Sequence, residues 1–111
     1  MIYELDIKIL EELLGDPVAE IVLRRLLIGF KGTAEQLARN VEIDYNKYGE
    51  AITSVLEKLV QSRLATKRSY DQLDTGYSSI PDLVKKQVFE DERFRKVKDT
   101  GFIDLRARLK Q

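Results

Sequence analysis

TAEQLARNVEIDYNKYGEAITSVLEKLVQS, residues 33–62, contains two helix starts, at Thr33 and at Asp44. Thr33 is followed three residues later by Gln36, the spacing at which a hydroxyl and an amide side chain satisfy each other's orphan backbone N–H groups. Leu37, Ala38 and Val41 then supply the inner face of a short helix, and Glu42 to Asp44 leave room only for a turn. Asp44 caps a second helix, in which Tyr48, Ile52, Val55, Leu56, Leu59 and Val60 fall on one face. That helix is long and one-sided.

Beyond Leu64 the pattern changes to extended chain. Thr66 to Tyr70 read as one strand, Asp74, Thr75 and Gly76 as a turn, and Tyr77 to Ile80 as a returning strand. Upstream, Asp16 and Pro17 form an N-cap and a first helical position, and Ala19, Val22, Leu23, Leu26 and Leu27 continue a helix to about Gly29. Its broad apolar stripe predicts the central core helix. Leu5, Ile9, Leu10, Leu13 and Leu14 predict an additional amphipathic helix before it, stopped by Gly15 and Asp16.

Downstream, Ser79, Pro81 and Asp82 mark another helix start, and Leu83, Val84, Val88, Phe94 and Val97 carry it towards Asp99 before Gly101 interrupts. The tail fits two patterns. Ile103, Leu105, Ala107 and Leu109 alternate with charged residues as in a strand, while Phe102, Leu105 and Leu109 also fit a helix, which composition favours. The predicted fold class is mainly α with a small β-hairpin, in a single domain over 1–111. Within it, 1–15 is an extra N-terminal helix, 17–80 the core and 81–111 a C-terminal extension.

Composition narrows the chemistry. The 111 residues contain no cysteine and no histidine, which excludes thiol nucleophiles, disulfides, thiolate metal sites and imidazole acid-base catalysis. No glycine-rich phosphate loop is present, and no Asp, Glu, Lys or Tyr pair is singled out by spacing. Neither an enzyme nor a metal or cofactor site is expected. No signal-like N-terminus and no membrane-length apolar run is seen, so a cytoplasmic protein without membrane insertion is expected. Charged residues are 34% of the chain, a proportion also found in thermophile proteins.

Formal net charge is zero, but it is unevenly spread. Residues 1–30 carry three basic side chains against six acidic ones, and residues 80–111 carry nine basic against six acidic. Such an asymmetry either steers a partner or pairs one end of the molecule with the other.

Leu37, Ala38, Val41 and Ile43, followed by Leu56, Leu59, Leu64 and Lys67, resemble the pattern of winged helix-turn-helix regulators. Leu14-Gly15-Asp16-Pro17 is similar to the entry to the core helix in arsenical-repressor-type members, so the resemblance spans residues 14–77. It implies a recognition helix in the DNA major groove, a wing on the backbone or minor groove, and terminal helices that make a dimer. Three features differ from the family pattern. Glu42 stands where the turn has glycine, Arg63 stands where glycine closes the recognition helix, and that helix is about four residues longer, roughly one turn.

On this resemblance the base contacts fall to the outward face at the start of the helix from 44 to 62, namely Tyr45, Asn46, Lys47, Glu50 and Ser54. Asn46 and Lys47 suit adenine and guanine edges, and Glu50 suits a cytosine amine. Lys67 and Arg68 on the wing are expected near phosphates, flanked by Thr33 and Arg39. The same side chains also read as an ordinary solvated helix face, and Glu50 and Glu57 would repel phosphates. Tyr48 reads as core, while Tyr45, Tyr70 and Tyr77 stay open. The basic run Arg93, Arg95, Lys96 and Lys98 reads as a solvated helix laced with ion pairs.

The function so implied is that of a sequence-specific transcriptional regulator with double-stranded DNA as partner. It would act as a homodimer whose outer helices, 5–14 and 82–98, bury Leu10, Leu13, Leu14, Val88 and Phe94 against a second copy. The alternative is a winged-helix module that holds a protein partner in a larger nucleic-acid or membrane-remodelling assembly.

Overall fold

A computed structural model of the chain describes residues 11–69, 75–90 and 92–110. Residues 11–13 are the described end of the predicted first helix; Leu5, Ile9, Leu10, Tyr70 and Asp74 lie outside the described residues. The elements that follow are α1 (Pro17–Ile28), β1 (Lys31–Gly32), α2 (Ala34–Asn40), α3 (Tyr45–Gln61), β2 (Ala65–Ser69) and β3 (Thr75–Ser79). The C-terminal part contains α4 (Pro81–Val84), a π-helical turn (Lys85–Phe89), α5 (Glu92–Asp99), α6 (Phe102–Ala107) and a 3-10 turn (Arg108–Lys110).

The helix starts are those anticipated, for the anticipated reasons. Asp16 accepts from the backbone N–H groups of Val18 and Ala19 at 3.0 and 3.4 Å. The Thr33 hydroxyl accepts from Gln36 N–H at 3.2 Å, and Gln36 Oε1 accepts from Thr33 N–H at 2.8 Å, a closed capping box. Gly32 makes room for it, since a Cβ there would collide with Gln36 Oε1. Asp44 accepts from Asn46 N–H at 2.9 Å. A cap of this kind is worth about 1 kcal/mol.

α1 is the central helix: Ile21, Val22, Leu23 and Leu26 have no measurable exposure. It packs on α3 and on the C-terminal helices α4 and α6. Ile52, Val55, Leu56 and Leu59 of α3 close the core, with Tyr48 half-buried against it.

The described strands form one antiparallel sheet of order β1-β3-β2. β1 escaped the sequence reading because two residues carry no alternation, and only pairing of Lys31 with Ser78 and Gly32 with Tyr77 defines it. Thr75 and Gly76, expected in a turn, are strand residues opposite Ser69 and Arg68. The predicted single helix over 82–98 is broken by the π-helical turn. Val84 and Phe89 are both buried and lie five residues apart, a spacing that the wider π turn serves and a regular α-helix does not. The tail is helical, with Leu105 buried and Leu109 against the core.

Leu13, Val88 and Phe94, expected at a dimer seam, are at most 1% exposed within this one chain, and Leu14 packs partly against the same core. Among the described residues, these four apolar side chains are therefore covered within a single chain. The charge asymmetry is also spent internally. Arg93 reaches Glu11 at 2.8 Å, and the Arg108 guanidinium donates to the Glu20 carboxylate.

Glu42 and Arg63, the two positions where the family pattern has glycine, have φ of 60° and 63° and are the non-glycine residues with positive φ among those described. A left-handed backbone costs an L-residue about 1–2 kcal/mol. Glu42→Gly is accordingly expected to raise stability by about 0.5–1 kcal/mol in urea denaturation. The exposed 3.4 Å pair of Glu42 with Arg106 offsets little of that gain.

Candidate functional site

The capping of α3 by Asp44 sets its first two turns outside the core, with Tyr45, Asn46, Lys47, Glu50 and Ser54 all exposed. The structure divides this set. Tyr45, Asn46, Glu50 and Ser54 line one shallow groove of about 570 Å³, floored by Gly49. A Cβ at Gly49 would lie 3.1 Å from the Tyr45 ring, so glycine there lets the phenol lie along the helix.

Lys47 does not join them. A step of one residue turns it about 100° around the helix. There its ammonium sits 5.3 Å over the Tyr48 ring, in a cleft with Glu42, Asp44, Arg106 and Leu109. This cleft is where the C-terminal segment meets the turn between α2 and α3. Arg106 donates to the Val41 carbonyl at 3.1 Å, and Tyr48 OH donates to the Leu109 carbonyl at 3.4 Å.

The wing residues Lys67 and Arg68 border one groove, and Lys67 also has a carboxylate partner. Lys67 Nζ donates to Glu57 Oε1 at 2.8 Å, and Tyr77 OH donates to the same oxygen at 2.8 Å. Lys67, expected near phosphates, is paired here with the carboxylate that argues against phosphates. Tyr77, left open by the sequence, is a core residue that anchors β3 to α3 through Glu57. Arg39 pairs with Glu35 at 3.3 Å on its own helix. Thr33 and Arg68 share a second groove, of about 600 Å³, with Lys31, Thr66 and Ser78. Among these, Lys31, Thr66 and Ser78 went unnoticed in the sequence, because only the cross-strand register places them beside Arg68.

The Glu57 carboxyl is held below its ordinary range chiefly by the Lys67 hydrogen bond, against the opposing effect of burial, with the Tyr77 hydrogen bond and the Lys67 charge adding to it. Burial pushes the Tyr77 phenol up to about 12, helped by the hydrogen bond to Glu57 and its charge, and by Tyr45. The signs follow from linkage. The depressed carboxyl contributes stability above the unfolded glutamate range, about 4.3, and loses it as pH falls through the folded value. The raised phenol contributes stability below about 10 and loses it as pH rises towards 12. Glu57→Gln should flatten the acid limb of a denaturant-midpoint profile. Tyr77→Phe should remove a tyrosine ionising near about 12 from an alkaline ultraviolet titration.

Among the described residues, no group of three or more Asp or Glu side chains could hold a metal ion, and no helix is long and apolar enough to cross a membrane. Comparison with known proteins finds no matching family model, no matching curated protein and no matching solved structure.

Proposed function

We propose that the chain is a winged helix-turn-helix DNA-binding domain of a cytoplasmic transcriptional regulator, reading the major groove with the leading half of α3. The observation that carries this reading is the shared groove of Asn46, Glu50 and Ser54, exposed on one side of α3 while the C-terminal segment occupies another. The left-handed Glu42 and Arg63, at the family's glycine positions, support it.

The helix length fits as well. Its 17 residues extend about 26 Å, and a recognition helix contacts base edges with its N-terminal residues, so the reading falls to the first half. Glu57 then lies in the trailing half, outside the groove and already paired. Glu50 stays within the reading half, where it selects a cytosine amine rather than gripping phosphate.

Fluorescence anisotropy against a pool of genomic duplexes tests the proposal, with a salt-dependent preference for particular sequences expected. Asn46→Ala should weaken the preferred duplex by about 10–100-fold and leave other duplexes unchanged. Equal binding to every duplex, or none, would sink the reading. The proposal includes a two-fold pair of chains, whose seam must avoid the buried Leu13, Val88 and Phe94; sedimentation measures it.

A protein-binding role for the same face is favoured by one observation. Exposed Tyr45 is bordered by Glu50 in one groove and by Glu35 in the next, a setting that suits a basic, apolar peptide surface. A pull-down separates the two, since recovery of DNA fragments without a stoichiometric protein removes this second role.

A further inference from the structure

α2 and α3 end in the same way, each on a left-handed residue that carries a side chain. At the end of α2, Glu42 N–H donates to the Arg39 carbonyl at 3.2 Å and Ile43 N–H donates to the Ala38 carbonyl at 3.0 Å, with Glu42 at φ 60°. At the end of α3, Arg63 N–H donates to the Val60 carbonyl at 3.0 Å and Leu64 N–H to the Leu59 carbonyl at 2.9 Å, with Arg63 at φ 63°. In this pair of bonds glycine usually takes the left-handed position. A side chain there puts the turn under strain.

The last carbonyls of a helix have no donor within the helix and must find one elsewhere. For Val41, just before the left-handed residue, the donor is Arg106 Nη1 of α6 at 3.1 Å. Nη2 of the same guanidinium lies 3.4 Å from Glu42 Oε2. One planar fork thus grips two successive residues of the turn, the first by its carbonyl and the second by its side chain. The Glu42 carboxylate is exposed and its pair is screened, so the carbonyl is the firmer hold.

Arg106 is itself held from both sides. Leu105 before it is buried in the core, and Arg108 after it donates to Glu20 on α1 and to the Gly15 carbonyl at 3.3 Å. The Arg106 side chain is 24% exposed. Further along, the Leu109 carbonyl accepts from Tyr48 OH at 3.4 Å, in the first turns of α3. From a mount on the core helix, the C-terminal segment therefore touches the end of α2, the turn and the start of α3. Asn46 lies only four residues past Glu42, so a rotation of the backbone at Glu42 would be carried into the whole leading half of α3.

We infer that Arg106 is a positioning residue for α3: from the C-terminal helix it holds the left-handed turn at Glu42 and so sets how Asn46, Glu50 and Ser54 are presented to a duplex. The hold on the turn is independent of DNA, while its consequence for base reading rests on the function proposed above. Arg106 acts through the turn and not by touching a base or a phosphate.

Hydrogen exchange on the free protein tests the hold. Arg106→Ala should quicken exchange of the Glu42 and Ile43 amides by about 10-fold, the order expected for one lost hydrogen bond from a charged donor, while the Arg63 and Leu64 amides keep their wild-type rates. Unchanged rates at Glu42 and Ile43, or an equal gain at Arg63 and Leu64, overturn the hold.

Fluorescence anisotropy tests the consequence. In Arg106→Ala the ratio of affinities for the preferred and a random-sequence duplex should fall by about 10-fold, and the salt slope on the random duplex should stay at its wild-type value. A loss of folded protein alone would weaken every duplex by the same factor and leave that ratio intact. Adding Glu42→Gly should restore most of the preference, because glycine takes the left-handed turn without strain. An unchanged ratio in Arg106→Ala, no recovery with Glu42→Gly, or a slope lower by about 1, the mark of a lost phosphate contact, overturns the positioning role.

The two proposals fail separately. If the turn amides quicken but the wild-type chain prefers no duplex, Arg106 still holds the turn and base reading by α3 falls. If the wild-type chain has a preference that Arg106→Ala keeps in full, base reading stands and the positioning role falls.

Discussion

Replacing Phe94 by alanine is expected to destabilise the chain by about 3–5 kcal/mol, the cost of removing a buried phenyl ring from a packed core. Phe94 is 1% exposed and belongs to the buried core of the chain. The loss should be independent of protein concentration in denaturant unfolding, since the ring is buried by its own chain. A Phe94 at a subunit seam would behave differently. Its truncation would split an oligomer, and the midpoint of unfolding would then move with concentration. A concentration dependence that differs between Phe94→Ala and the wild type would return Phe94 to an interface.

The second large effect is expected at Arg108. Its guanidinium donates to the Glu20 carboxylate and, through Nη2, to the Gly15 carbonyl at 3.3 Å. Glu20 is 6% exposed on the core helix, so losing Arg108 strands a carboxylate with little access to water. Breaking a fully buried pair costs about 3–5 kcal/mol. The Arg108 side chain is 39% exposed, and solvent screening brings the expectation for Arg108→Ala to about 2 kcal/mol. Glu20→Gln in that background should restore part of the loss, because the stranded charge is gone. If the double variant is no more stable than Arg108→Ala, the cost comes from packing of the arginine stem and not from the unpaired charge.

The parts of the fold legible in the sequence are those governed by contacts a few residues apart. Asp16, Thr33 and Asp44 each act on a backbone group two or three positions on, and all three helix starts fall where those residues put them. The apolar stripe of α3 works the same way, since periodicity alone orients Ile52, Leu56 and Leu59. What escaped depends on partners far along the chain. β1 exists because residues 31 and 32 meet residues 78 and 77, and nothing in Lys31-Gly32 announces a strand. Phe89 was missed as core because its burial needs a π turn, which α-periodicity hides.

The candidate site shows the same division. Exposure of Asn46, Glu50 and Ser54 follows from the helical period and was foreseen. The divergence of Lys47 follows from that period too, but its resting place over Tyr48 is set by the C-terminal segment. The partner of Lys67 was not legible because the sequence does not reveal that Lys67 and Tyr77 converge on Glu57 across ten and twenty residues.

The bonds from Arg106 to the Val41 carbonyl and from Tyr48 to the Leu109 carbonyl join residues 65 and 61 apart in the chain. During synthesis at about 5–20 residues per second, roughly 2–10 s separate completion of α3 from arrival of these partners. A nascent chain therefore holds a finished α3 before the clasp on the preceding turn can close, and the spacing between the two helices becomes fixed only once residues 106 and 109 have been added.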